Sequence, residues 1–395
     1  MRFRRFETDR VVRRLESAAS VADLRRMARR RLPRGVFDYI DGAAEDERTL
    51  VANADAYTRV TFRPRVLRGV AQADPSTTLL GQPLAYPLVL APTGFTRIVD
   101  PQGELAVARA AARAGLPYTL STLATRSVEE VAAVSDGRRW FQLYLFRDRG
   151  LVREMLGRAR AAGFEALVFT VDLTVHGRRE RDVRHGLTLP PQLGVDTLLD
   201  GMLHPAWTWA FARSEPIRFA NVEGRVVGDG STPVDLAEYM HTAMEPAISW
   251  RDVEWLRSEW DGPIVLKGIQ TVADARLAAD AGVEAIALSN HGGRQLDDAP
   301  ATLSLVAPVA HAVDGRVEII CDGGVRRGSD IVKAVALGAN ACMAGRAYLY
   351  GLGAAGERGV DFVLDLFRAD IERVMMLLGA AQISELGPAL VTQPG

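Results

Sequence analysis

Lysine, cysteine and net charge are all scarce in this chain. Of 48 basic residues only Lys267 and Lys333 are lysines, and the remainder are arginine. Only Cys321 and Cys342 occur, each inside an apolar run. That excludes a disulfide framework or thiolate zinc cluster and fits a reducing cytoplasm. A net charge of −1 and a pI near 6.6 leave no basic footprint for nucleic acid. No apolar run approaches the roughly twenty residues of a spanning helix. Twelve arginines fall within the first 34 residues, but no apolar stretch follows as an export signal requires. His176, His185, His204, His241 and His311 show no ligand spacing, so no metal site is expected.

With 395 residues, 48% of them hydrophobic, the chain can bury one large core or two medium ones. The arginine bias makes Lys267 informative, because a compact ammonium suits a place where charge must meet one small atom. Lys333, in the helical pattern 329–335, reads as a surface side chain. Residues 23–29 alternate charge with apolar positions at helical spacing and read as a solvated helix. The sharper reading of the arginines is attraction to an anionic membrane face.

Short apolar runs occur at 87–92, 117–121, 140–145, 166–172, 263–267, 284–289, 317–321 and 340–345. Amphipathic helical patterns such as 104–111 and 273–280 separate most of them, so strand and helix alternate. A doubly wound open sheet would alternate too, but here polar or ligand-approaching residues follow nearly every strand. They are Pro92, Thr93 and Gly94, Ser121, Gln142 and Tyr144, then Thr170 and Asp172. Lys267, Ser289 and His291, Asp322 with Gly323 and Gly324, and Gly345 with Arg346 complete the circuit. An α/β fold of the (β/α)8 TIM barrel type is expected, with chemistry at the strand ends. Residues 322–328 and 344–346 offer unobstructed amides and the guanidinium groups of Arg326 and Arg346, a cradle for phosphate. The ligand is a sugar phosphate or flavin mononucleotide; Gln142 and Thr170, able to bond a pyrimidine-like edge, favour the flat ring.

Residues 288–297 set His291 three positions from Arg294, directly after a strand. A base that titrates near neutral pH beside a permanent cation suits an acid substrate. About ninety residues then separate Asp172 from Pro263, far more than one helix needs. This excursion after strand 4, at 187–250, is expected to be a lid or docking surface, with the turn-rich 226–233 mobile. Trp207, Trp209 and Phe211 either pack it onto the barrel or touch a membrane or redox partner.

Segments 37–46, 90–94, 140–144, 170–172 with 177–182, 265–268, 289–297 and 322–326 resemble, in order, the FMN-dependent L-2-hydroxy acid dehydrogenase/oxidase family. The resemblance runs from about residue 20 to 385. Around 204–207 it is most similar to respiratory L-lactate dehydrogenases that pass electrons to quinone. It implies oxidation of a 2-hydroxy acid to a 2-keto acid with FMN as cofactor. His291 would be the base and Asp172 its orienting carboxylate. Arg294 and Arg179, helped by Tyr39, would hold the substrate carboxylate, Tyr144 would bond the hydroxyl, and Lys267 would stabilise negative charge on the flavin. Pro92, Thr93, Gly94, Ser121, Gln142, Thr170, Ser289, Asp322, Gly324, Arg326, Gly345 and Arg346 would hold FMN.

Three positions depart from the pattern. Thr174 replaces a proline, Gly94 an alanine, and Leu123 the tryptophan of plant-type oxidases, which argues against glycolate. The missing methyl at Gly94 is expected to enlarge the pocket or change oxygen access. Three readings follow: an L-lactate dehydrogenase using quinone or another carrier, an oxygen-using oxidase of mandelate-like acids, and a non-redox phosphate-binding barrel. The resemblance further implies one barrel domain over 1–395 with an N-terminal helical segment at 1–75, a homotetramer, and a cytoplasmic protein in peripheral contact with the inner face of the cell membrane.

Overall fold

Apolar side chains at nearly every position of the eight short runs leave no face for water, so each run becomes a strand covered on both sides. The computed structural model of the chain describes residues 8–185, 195–222 and 243–392. Its central strands are β1 (Leu88–Leu90), β2 (Tyr118–Ser121), β3 (Arg139–Leu143), β4 (Ala166–Thr170), β5 (Ile264–Ile269), β6 (Ala285–Leu288), β7 (Glu318–Asp322) and β8 (Ala341–Ala344). Every neighbouring pair is parallel, and β8 pairs with β1 to close the barrel. Register places Ser121 beside Gln142 and Thr170 beside Lys267, so the polar strand ends lie at one level.

Val89, Trp140, Val168 and Ile320 fill the barrel interior, joined by Leu79 and Leu84 from the hairpin Thr77–Leu79/Gln82–Leu84. That hairpin plugs the end where the strands begin, through Leu80 N–H to Glu318 and Arg138 to the Pro83 carbonyl. The opposite end is left for chemistry. Outer helices begin where side chains satisfy free amides: Ser127 and Glu130 form a capping box, and Asp148 and Thr271 cap Arg149–Ala161 and Val272–Asp280.

The amino-terminal helices are Arg10–Leu15, Val21–Arg31, Arg34–Asp41 and Arg48–Arg59. Helical structure expected to residue 75 therefore stops at Arg59, and Thr61–Phe62 instead pairs antiparallel with Val391–Thr392. The helix read as solvated is half right: Val21, Leu24 and Ala28 are buried. It packs on Arg346–Ala355, where a Cβ on Gly353 would stand 3.1 Å from the Ala28 methyl. Lys333, expected at the surface, is half-buried; its ammonium donates to the Tyr57 carbonyl at 2.8 Å and lies 5.2 Å from the Phe62 ring centre. Its side chain is met by the amino-terminal segment, which local periodicity could not reveal.

Within the excursion, Val195–Leu203 and Pro205–Ala212 are helical. Trp207 packs inward, donating to the Ile98 carbonyl at 2.7 Å and stacking on Phe211 at 4.8 Å between ring centres. Trp209, two residues along the same helix, is 65% exposed. Segments 186–191 and 226–233 and His241, singled out in the sequence, lie wholly or mainly outside the described residues. Among the described residues, no helix is long and apolar enough to cross a membrane.

Candidate active site

The loop after β6 takes a conformation that explains its composition. His291, Gly292 and Gly293 have φ of 57°, 66° and 77° in succession. A Cβ on Gly293 would lie 2.7 Å from the Leu50 amide nitrogen, so glycine is required there. For His291 the left-handed backbone costs about 1–2 kcal/mol. Neighbours hold it: Asn53 and Asn290 exchange side-chain hydrogen bonds at 2.8 and 2.9 Å, and the His291 amide donates to Ser289 Oγ at 3.1 Å.

The histidine so placed meets Asp172, beyond the end of β4, at 2.9 Å between Nδ1 and Oδ1. Burial raises the Asp172 carboxyl, but His291 and Lys267 outweigh it and leave it below its ordinary value. It is therefore ionised, so Nδ1 carries the proton of neutral His291 and the Nε2 lone pair is free to accept. Burial lowers the proton affinity of His291, more than Asp172 restores it, so the base form dominates at neutral pH. Tyr144 stands 3.4 Å from Nε2. Burial raises its phenol, keeping it a donor.

One cleft of about 1110 Å³, including its open mouth, runs across the strand ends. At the His291 end Arg179, Arg294 and Tyr39 line it. The Arg294 guanidinium donates to the Tyr39 and Gly42 carbonyls at 2.6 and 3.0 Å and lies 5.1 Å from the Tyr39 ring centre. Burial, and then Arg179, push it down to about 9, the mark of two cations facing one space. A carboxylate placed between them relieves that repulsion. Arg179 Nε is buried with no hydrogen-bond partner among the described residues.

Lys267 sits midway, its ammonium 2.9 Å from Ser289 Oγ and 3.0 Å from Asp322 Oδ2. Burial opposes its charge, but Asp322 and Asp172 prevail and its proton affinity is raised, so it is a fixed cation. Beside it, Ser121 donates to Gln142 Oε1 and Gln142 Nε2 donates to Thr170 Oγ1, both at 3.0 Å. Gly324, Arg326, Gly345 and Arg346 also line the cleft. Gly324 has φ 80°, and a Cβ there would collide with the Asn53 carbonyl. Arg346 donates to the Gly292 and Gly42 carbonyls at 2.9 and 2.7 Å, while its Nε is buried without a partner among the described residues. Two guanidinium groups over a glycine turn fit a phosphate, and the amide, hydroxyl and ammonium row fits the heteroatom edge of a flavin. The donor set therefore suits FMN.

Most site residues named from the sequence line this cleft, including Pro92, Thr93, Gly94 and Leu123. Asp172, Gln142 and Ser289 stand behind the wall, each bonded to a lining residue. The Gly94 expectation needs revision: a methyl there would face Leu123, 3.1 Å from its Cβ and 3.2 Å from its carbonyl oxygen. Adding it would push the substrate wall rather than merely fill open space. Sequence reasoning missed Leu173 and His176, which also line the cleft. Their place in the loop between Asp172 and Arg179 was the available signal.

Comparison with known proteins agrees with this geometry. The FMN-dependent dehydrogenase family model matches residues 28–393. A protein of Caulobacter vibrioides named L-lactate dehydrogenase is 43% identical over 376 residues, covering 95% of this chain and 98% of its own. The crystal structure of the monotopic membrane protein (S)-mandelate dehydrogenase superposes with a TM-score of 0.92 at 38% identity, covering 96% of this chain and 100% of that one. A mandelate oxidase mutant with (S)-mandelic acid gives a TM-score of 0.81 at 38% identity, with the same coverage. These matches set aside the non-redox barrel. The chain belongs to the FMN-dependent dehydrogenase family and is an FMN-dependent oxidoreductase of 2-hydroxy acids.

Proposed function

We propose that this enzyme oxidises L-lactate to pyruvate and delivers the electrons to a quinone or another carrier at the inner face of the cell membrane. The observation that carries the reading is His291, oriented by Asp172 and kept as a free base by burial, in one cleft with Arg179 and Arg294. Arg294 and Arg179 grip the substrate carboxylate, with Tyr39 at their side, and Tyr144 donates to the hydroxyl oxygen. His291 Nε2 removes the hydroxyl proton, and Asp172 stabilises the resulting imidazolium. FMN, when bound, would supply the acceptor for the hydride equivalent that leaves Cα, the hydrogen with its two electrons, which together with the hydroxyl proton completes the oxidation to the keto acid. Lys267 contributes fixed positive charge where negative charge develops on that acceptor. Arg326 and Arg346 hold its phosphate with Gly324 and Gly345. The remaining contacts fall to Pro92, Thr93, Gly94, Ser121, Gln142, Thr170, Ser289 and Asp322.

Two kinds of support favour lactate and a membrane carrier. The sequence relative noted above is named an L-lactate dehydrogenase, and the structural relative with the TM-score of 0.92 is named a monotopic membrane protein. The chain itself exposes Leu199, Met202, Leu203 and Trp209 on two successive helices of the excursion. Exposed apolar side chains so grouped suit insertion at a lipid interface. We assign 1–395 to one FMN-binding barrel domain, 187–250 to its docking excursion, and the assembly to a homotetramer, which light scattering tests.

The decisive experiment follows flavin absorbance during anaerobic addition of L-lactate, then admits air. Rapid bleaching with slow reoxidation is expected. Rapid reoxidation would instead mark an oxidase. Bleaching by (S)-mandelate and not by lactate, followed by rapid reoxidation in air, would establish the second reading; the apolar wall of Leu123 and Leu173 and the two mandelate-enzyme structures favour its substrate.

A further inference from the structure

Arg181 follows Arg179 on the short helix Glu180–Arg184, yet among the described residues it is not one that lines the cleft. Its guanidinium instead meets three carboxylates: it donates to Asp41 at 2.9 Å and to Asp38 at 3.5 Å, and it pairs with Glu47. We propose that Arg181 is a positioning residue for the substrate carboxylate. By binding Asp38, Asp41 and Glu47 it holds the backbone that carries Arg179 where one carboxylate can bridge Arg179 and Arg294. The inference rests on the 2-hydroxy acid reading and adds the residue that gives the grip its geometry.

The Arg294 side of the grip is built on the carboxyl-terminal end of the helix Arg34–Asp41, where the Tyr39 and Gly42 carbonyls hold the Arg294 guanidinium. Carbonyls at that end of a helix carry partial negative charge and suit a cation. Asp41 fixes the end: it is buried, accepts from Arg25 at 2.5 and 2.7 Å and accepts from the Tyr350 hydroxyl at 2.7 Å. Burial raises the Asp41 carboxyl, but Arg25, Tyr350 and Arg181 outweigh it and bring it down to about 2, so it is ionised. Glu47 accepts from the Ala43 amide at 2.9 Å and fixes the turn that follows. Without Arg181 these bonds would still hold the Arg294 side.

The Arg179 side depends on Arg181 more directly. Before Arg179, the Gly177 amide donates to Gln295 at 3.3 Å and the Arg178 carbonyl accepts from the Glu45 amide at 2.9 Å. After it, Arg181 makes the cross-links to Asp38, Asp41 and Glu47, and His185 Nδ1 adds one contact at 2.7 Å from Asp38 Oδ2. The stem of Arg181 also reaches Gly42, where a Cβ would lie 3.5 Å from Arg181 Cδ. The tie therefore runs from the residue whose carbonyl holds Arg294 to the turn that carries Arg179. It works against a repulsion, since Arg179 and Arg294 face one space and Arg179 lowers the proton affinity that burial has already reduced in Arg294. Charges taken out of water add little net stability over apolar packing, so what this cluster provides is a fixed separation. A carboxylate gains from both guanidinium groups only if both reach it.

The test is steady-state kinetics of the holoenzyme with a soluble dye as acceptor and L-lactate as substrate, or (S)-mandelate should that be the acid that bleaches the flavin. Arg181→Met keeps the stem and removes the charge. KM should rise about tenfold or more while kcat falls less than about threefold, because His291, Asp172 and Tyr144 are held by other bonds. The Kd of oxalate, which offers a carboxylate but no hydrogen to transfer, should rise by a similar factor, with FMN content unchanged. Arg181→Lys, a point charge that meets fewer of the carboxylates, should restore part of the affinity. Glu47→Gln keeps an acceptor for the Ala43 amide and weakens the tie from its other end; it should raise KM alone and add nothing in the Arg181→Met background. Should Arg181→Met not fold, Arg181→Lys and Glu47→Gln carry the same test. A folded variant with lower thermal stability but unchanged KM and oxalate affinity would overturn the proposal. Arg179→Lys separates it from the reading beneath: unchanged KM there would overturn the carboxylate grip and this inference with it, whereas a rise there and none in Arg181→Met overturns this inference alone.

Discussion

The barrel mouth and the excursion each invert the usual distribution of side chains, in opposite senses. At the mouth Lys267 and Asp322 are buried, as are most atoms of Asp172 and Arg294, whereas on the excursion Leu203 and Trp209 face solvent. Buried charge costs several kcal/mol per ion unless paired, and clustered exposed apolar surface invites association. Folding rewards neither arrangement: the first suits the binding of cofactor and substrate, and the second is the surface proposed above to dock. They differ in how completely they are anchored. Lys267 is held by Ser289 and Asp322, and His291 by Asp172, whereas Trp209 extends from a helix tied down through Trp207. Chemistry needs atoms fixed in place; a docking surface needs only to be presented.

Breaking the mouth should have the largest effect. His291→Ala is expected to retain FMN while lowering the rate of anaerobic flavin reduction by about 10³–10⁴-fold, since both the base and its alignment are lost. Stopped-flow absorbance measures it, and near-normal reduction would remove His291 from the chemistry. Lys267→Arg comes next. A planar fork cannot occupy the place of a point charge between Ser289 and Asp322 without displacing them. Flavin reduction should fall by about 10²-fold or more and the flavin potential should drop; if neither moves, the lysine is structural.

The carboxylate behind the base gives a finer test. Activity needs neutral His291, so kcat/KM is present above its pKa and lost as pH falls through it. Burial places that pKa below the ordinary 6.5, and the acid limb should lie there. Asp172 raises the pKa, so Asp172→Asn should move the limb to lower pH while leaving a weaker base and a lower plateau, about tenfold or more. A limb that stays put would mean another group controls it.

These contrasts also show what could be read from the sequence. The eight strands were legible because a strand buried on both faces is a short unbroken apolar run, and their polar ends located the mouth. His291 and Arg294 announced themselves by spacing. Lys333 misled because its partners, Tyr57 and Phe62, arrive from a segment more than 270 residues earlier. The direction of a methyl at Gly94 depended on Leu123, from the next strand's loop. The aromatic run 207–211 stayed ambiguous because its two tryptophans serve different ends, one donating inward to Ile98 and the other exposed.

That division yields the smallest expected effect and the sharpest separation of the two regions. Leu203→Ser with Trp209→Ser removes two exposed apolar side chains, 78% and 65% accessible, without touching the cleft. Fold stability should change by less than about 0.5 kcal/mol per site, because neither side chain gains much burial on folding. Flavin reduction by lactate and turnover with a soluble dye should be unchanged. Sedimentation with anionic lipid vesicles should weaken about tenfold, and turnover with membrane quinone should fall with it. Trp207→Ala is the control: it breaks the hydrogen bond to Ile98 and the stack on Phe211, so it should loosen the excursion and lower thermal stability. Equal losses with dye and quinone in the double variant would mark the exposed face as part of the structure and leave the electron acceptor to be sought at the barrel mouth.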